Sequence, residues 1–291
     1  MNFKKIKITV FIVLSINFLF YSCQKNESEN ENDMLVDSVR SFDDVNIVYD
    51  VQGKGDTTLF FIHCWCGDRT YWDNQTDYFK DNYKIVRIDL AGHGGSALGR
   101  KDYTMESFGK DVAAVINLLE LDKCILIGHS MGGPVMLEAA RILGDKIIGL
   151  VGVDNLIDVE EKYPEEDFLQ FVGWLENDFV NSVPEFVKSM FPENADSNLV
   201  KKIAEDMSSA PKEVAISAMK SLYYQDIISV LKDVKCPIVC ISSDKYPTNI
   251  EGNRKHMKSF NVKLMKGYGH FLQLENPEMF NKLLEDTIKE F

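Results

Sequence analysis

Short β-type runs alternate with longer helical stretches along this chain, and few architectures bury every apolar run in such a pattern. A mostly parallel sheet covered by helices on both faces is the one that does. The strand-like runs are residues 35–42, 45–51, 58–63, 84–89, 124–128, 147–153, 237–242 and 262–265, the first two resembling an antiparallel start. Helical periodicity fits 105–121 and 131–143 between them. The alternation breaks after Asn155, where 168–179, 183–190, 199–207 and 214–221 are helical with no strand among them. The expectation is a doubly wound, eight-stranded α/β sheet with a helical lid at 156–231 inserted after the sixth strand. The core would comprise 35–155 and 232–291, and ligands in such folds bind at the strands' carboxyl ends, beneath a lid of this kind.

The N-terminus stands apart. Lys4, Lys5 and Lys7 precede an apolar run, 8–20, that is too short to span a bilayer and ends at Phe20-Tyr21-Ser22-Cys23. The arrangement resembles a bacterial lipoprotein signal, with Phe20 and Tyr21 standing where the usual lipobox has Leu and a small residue. It implies a signal peptide at 1–22 and lipidation of Cys23. Residues 23–34, too polar to bury anything, would be a tether. The domain would then sit in the cell envelope, held to a membrane through Cys23; an uncleaved anchor or a secreted form are the alternatives. The formal charge of −13 offers no electrostatic hold on an anionic membrane. The same charge argues against nucleic acid, which requires clustered Lys and Arg.

Five further cysteines, Cys64, Cys66, Cys124, Cys236 and Cys240, leave at least one unpaired within the chain beyond Cys23. Cys124 and Cys240 lie in apolar runs and read as buried hydrophobes. Cys64 and Cys66 have no zinc-knuckle spacing. No phosphate-binding loop, H-E-x-x-H helix or dinucleotide fingerprint is present, so no cofactor or metal has sequence support.

The segment that carries chemistry is Gly128-His129-Ser130-Met131-Gly132-Gly133, which follows one strand and opens a helix. It matches the nucleophile elbow G-x-S-x-G, in which small neighbours allow a serine on a strained strand-to-helix turn. Three other blocks accompany it in order. They are Phe60-Phe61-Ile62-His63-Cys64-Trp65, Asp89-Leu90-Ala91-Gly92-His93-Gly94-Gly95-Ser96, and Gly267-Tyr268-Gly269-His270-Phe271. Together they make the chain from residue 35 onward resemble the α/β-hydrolases of the lid-bearing esterase and lipase type.

The resemblance implies a serine hydrolase that forms an acyl-enzyme on Ser130 and releases it with water. His270 would be the base. His63 and His93 belong to loop motifs that are usually structural, His129 points away from the nucleophile, and His256 lies in a polar, solvated helix. For the orienting acid two positions stay open. Asp244, in the loop after the seventh strand, is the first choice although it falls short of the family's usual spacing; Asp154, after the sixth strand, is the rival. Either would otherwise be an ordinary turn or capping Asp. The oxyanion donors would be the backbone N–H groups of Met131 and Trp65, with Cys64 where the family usually has Gly. The aromatics Phe168, Phe171, Trp174, Phe179 and Phe186 either line an acyl pocket or pack on the core. A serine nucleophile argues against dehalogenase and epoxide hydrolase chemistry, and leaves peptidase, thioesterase, C–C hydrolase and perhydrolase activities open. The small-molecule partner would be an acyl substrate; the alternative function is a ligand receptor of the same fold with little turnover.

Overall fold

In the computed structural model, residues 34–291 are described; the leader, Cys23 and the tether through Asp33 lie outside them. Eight strands form one sheet: β1 (Leu35–Arg40), β2 (Asn46–Gln52), β3 (Thr58–Ile62), β4 (Lys84–Ile88), β5 (Cys124–His129), β6 (Ile147–Val153), β7 (Ile238–Ser243) and β8 (Phe260–Met265). Their spatial order is β1-β2-β4-β3-β5-β6-β7-β8. β2 runs antiparallel to both β1 and β4, and every other pairing is parallel.

The two-residue period of the strands divides the interior in two. From β3, Phe60 and Ile62 face one core while Leu59 and Phe61 face the other. From β5, Cys124 and Leu126 point with the first pair and Ile125 and Ile127 with the second. Each of these side chains is sealed from water, and for the Phe, Leu and Ile among them burial is worth about 1.5–3 kcal/mol apiece before the entropy cost of ordering the chain. The first face is covered by α2 (Met105–Leu118) and α3 (Gly132–Leu143), the second by α1 (Asp73–Phe79) and α11 (Pro277–Ile288). Strand patterning does not single out α11. Yet Asn276 caps it, Pro277 opens it, and Phe280, Leu284 and Ile288 recur on its buried face.

Between β6 and β7 the chain forms α4 (Glu165–Asn177), α5 (Phe179–Met190), α6 (Ser197–Ser208), α7 (Lys212–Tyr224) and α8 (Ile227–Leu231), with no strand among them. Short helices α9 (Ile250–Arg254) and α10 (Leu272–Glu275) follow β7 and β8. His256 lies just beyond α9, and its Nε2 pairs with Glu160 at 2.8 Å. It is therefore a partly buried surface contact instead of a solvated helix residue.

Candidate active site

Ser130 sits at φ +51°, a left-handed conformation that a side-chain-bearing residue adopts only under constraint. Its N–H donates to Val153 O at 3.0 Å and its carbonyl accepts from Gly133 N at 2.9 Å, so the turn is held from both sides. A Cβ on Gly128 would lie 2.2 Å from Gly132 O, and one on Gly132 would lie 2.6 Å from Ile62 O. The glycines are thus required by close approach of backbone to backbone. Asn155 completes the elbow: its amide donates to Gly128 O at 2.7 Å. No sequence motif marks Asn155.

His270 lines the same cavity of about 250 Å³ as Ser130. Its Nδ1–H donates to Asp154 Oδ2 at 2.6 Å, which leaves Nε2 as the ring nitrogen with a free lone pair. Asp154 is buried, and its second oxygen accepts from Ser243 N at 2.8 Å. Burial by itself raises this carboxyl, but the His270 hydrogen bond and charge and the Ser243 N–H outweigh it, and the net shift is downward. Asp154 therefore stays ionised beside the imidazole.

The acid preferred from sequence lies elsewhere. Asp244 is exposed, and its Oδ1 accepts from Gly267 N at 2.8 Å in the loop after β8. The reason is register. Val153 pairs with Ile241, and Asp154 N donates to Ile241 O at 2.9 Å, so the residue directly after β6 already stands at the sheet's carboxyl edge. Asp154 turns there at φ +46°, another strained residue at the site.

The remaining sequence candidates fall as follows. Met131 stands at the N-terminus of α3, where backbone N–H groups and the helix dipole favour negative charge. Trp65 lines the cavity, and its indole N–H donates to Ala215 O at 2.8 Å in α7. The ring packs edge-on against Phe179 and Phe186 of α5. Cys64 also lines the cavity, as a free thiol that burial pushes up to about 12; it is no thiolate nucleophile at neutral pH. All five described cysteines are free. Asp89, from the second loop block, binds Arg69 and accepts from Gly95 N at 2.7 Å, which ties two loops together.

Several positioning groups escape sequence reading. Glu275 accepts from Gly269 N at 2.9 Å and from Phe271 N at 3.0 Å, bracketing His270 with two backbone bonds. His270 N donates to Met190 O at 3.1 Å, a direct link from the end of α5 to the imidazole-bearing loop. His129 Nε2–H donates to His270 O at 2.8 Å, and its Nδ1 accepts from Gln273 at 3.1 Å. That pairing requires a neutral ring, and burial, then the neighbouring His270, lowers its pKa to about 3. Glu275 carries one available signal, its place in the turn after the glycine-flanked His; the others have none.

Sheet order, elbow and hydrogen-bonded His–Asp pair define an α/β-hydrolase scaffold, and the chain belongs to the alpha/beta hydrolase fold family, whose family model matches residues 57–277. Among individual proteins, it is 28% identical to a pimeloyl-[acyl-carrier protein] methyl ester esterase of Wigglesworthia glossinidia brevipalpis, covering 82% of this chain and 96% of that protein. It is 22% identical to the karrikin insensitive 2 receptor CA of Petunia hybrida, covering 79% of this chain and 90% of the receptor. In structure it is similar to a thermophilic esterase from Thermogutta terrifontis, with a TM-score of 0.77 and 21% identity over 88% of this chain and 98% of the esterase.

Proposed function

We propose that this protein is a serine hydrolase of ester-type bonds. Ser130 attacks the carbonyl, His270 Nε2 takes the serine proton and returns it to the leaving group, and Asp154 holds the imidazole in the required tautomer. The N–H groups of Met131 and Trp65 would stabilise the developing oxyanion. Water then releases the acyl group by the same steps in reverse roles. The observation that carries this reading is that His270, hydrogen-bonded to the buried Asp154, lines one cavity with the strained Ser130. The esterase relative supports it independently.

Ser130→Ala is expected to lower kcat on p-nitrophenyl acetate by about 10⁴-fold or more, with the unfolding transition retained. A fluorophosphonate should label wild type and not the variant. Full activity in Ser130→Ala would end the proposal. The receptor relative favours one second reading, a sensor in which the same Ser130 turns over slowly while ligand alters α4–α7. Labelling of Ser130 with less than one turnover per minute on every ester tried, plus a ligand-induced shift in unfolding temperature, would favour that reading.

We further propose a placement for the domain. The helices between β6 and β7 act as the lid, and the domain is anchored in the cell envelope through a lipid on Cys23. The support is the Lys-led apolar leader ending at Cys23 and the polar tether after it. Expressed in bacteria, wild type should partition with membranes and incorporate labelled palmitate, whereas Cys23→Ala should lose both. A wild-type chain found wholly in the soluble fraction without label would refute the anchor.

A further inference from the structure

Beside the cavity at Ser130 lies a second one of about 510 Å³, lined by helical residues of the insertion and the segment leading into it and partly open to solvent. Phe186, Met219 and Leu222 line both cavities, so the two compartments meet at three apolar side chains. The outer compartment adds Phe168 and Phe171 from α4 and Tyr223 from α7. Phe168 and Tyr223 stack face to face with centroids 3.8 Å apart and planes 4° apart, which gives that wall a flat aromatic surface. Phe171 meets Phe186 edge-on at 5.0 Å, and both rings remain only half-buried, with apolar surface left to cover. The one charged residue in the lining is Asp167, exposed on α4 near Tyr163, and neither cavity lining includes a Lys or Arg.

From this arrangement we infer that the outer compartment is a binding site for the uncharged apolar tail of the ester whose carbonyl is held at Ser130. The inference rests on the hydrolase reading for the carbonyl and on the outer compartment's own walls for the tail. A hydrocarbon or aryl group there loses contact with water and gains contact with aromatic and Met side chains. A tail ending in a carboxylate would lose its hydration without meeting a cation and would face Asp167. The substrate class is therefore neutral esters with a medium-length alkyl or aryl tail, and monoesters of dicarboxylic acids are rejected. Short esters occupy the inner cavity alone and forgo that contact. The tail belongs to either side of the ester, and the experiment separates the two.

Two assays on the folded domain test this. In the first, kcat/KM for p-nitrophenyl octanoate should exceed that for the acetate by about tenfold or more, and that for the p-nitrophenyl monoester of suberic acid by a similar factor. Octyl acetate against ethyl acetate gives the same comparison on the alcohol side. Phe171→Asp should bring the octanoate-to-acetate ratio, each normalised within the variant, close to one.

In the second assay, Ser130→Ala is titrated with the neutral fluorophore N-phenyl-1-naphthylamine, which needs no turnover. Enhanced emission, displaced by methyl octanoate at least tenfold more effectively than by monomethyl suberate, is the expected result. Probe binding with no ester hydrolysis would overturn the hydrolase reading and keep the tail site. Hydrolysis without chain-length preference on either side, with no probe binding, would overturn the tail site alone. Equal displacement by the two methyl esters would overturn the rejection of charged tails.

Discussion

Asp154→Asn is expected to cut kcat on p-nitrophenyl acetate by about 10⁴-fold, while Asp244→Asn changes it by less than about threefold. The size of the first effect follows from hydrogen-bond polarity. Ser243 N–H donates to Asp154 Oδ1, so an Asn at this position would keep its amide oxygen there and turn its NH₂ toward His270. An NH₂ group donates, and His270 Nδ1 would have to accept. The ring proton would then sit on Nε2, which could no longer take the proton of Ser130. Flipping the amide restores the tautomer only by setting two donors against each other at Ser243, a buried position where an unmet donor costs about 1–3 kcal/mol.

Asp244 differs because its oxygen accepts one N–H, from Gly267, at an exposed position. The amide oxygen of Asn accepts it equally well. Steady-state kinetics on the two variants decide the matter: loss of activity in Asp244→Asn with retention in Asp154→Asn would reverse the assignment.

Stability should fall steeply between pH 6.5 and 5, by several kcal/mol in urea unfolding. Three imidazoles are responsible. His63, His93 and His129 are buried, and burial lowers them from 6.5 to about 4, 3 and 3 respectively. Above pH 6.5 they are neutral in both states and contribute no pH dependence. As pH falls below 6.5 the unfolded chain takes up three protons that the native state refuses, and each refusal costs about 2 kcal/mol by pH 5. The loss continues until the folded values near 4 to 3 are reached.

The hydrogen bonds show why the native state refuses. His63 Nε2 accepts from Leu90 N at 3.0 Å, a bond that a protonated ring cannot make, and its Nδ1 donates to Cys64 O at 2.7 Å. Asp89, Asp111 and Glu275, whose carboxyls burial raises, oppose the trend at its acid end. Because His93 makes only one ring bond, to Ala91 O, His93→Gln should remove about a third of the slope. An unfolding midpoint unchanged from pH 7.5 to 5 would show that these rings titrate normally in the fold. Since native stabilities are about 5–15 kcal/mol in total, the predicted drop is a large part of the whole.

Strand patterning carried the sheet because its information is local. In β3 and β5, alternate residues are committed to opposite faces by the backbone period alone, and the eight strands lie within a few residues of where alternation puts them. The elbow at Ser130 was legible for the same reason, since Gly128 and Gly132 answer a backbone collision within the turn and against the adjacent strand. His270 is legible only through the order of the family's motifs along the chain, in which a glycine-flanked His comes last.

What patterning could not carry was anything set by the relative offset of two strands. Asp154 and Asp244 both follow apolar runs, and only the pairing of Val153 with Ile241 puts the first beside the imidazole and leaves the second on the loop beyond. The same holds for Glu275, His129 and Met190, which act on the backbone around His270 from sequence separations of 4 to 141 residues. By itself the sequence determined the layering of the fold and the strained serine, because sterics within a turn and a strand act between near neighbours, and it pointed to His270 only through the order of motifs along the chain. The tertiary structure decided that Asp154 and not Asp244 meets His270, and it made the loop supports and the second compartment, because each forms only when side chains distant in sequence are brought together by strand register or helix packing.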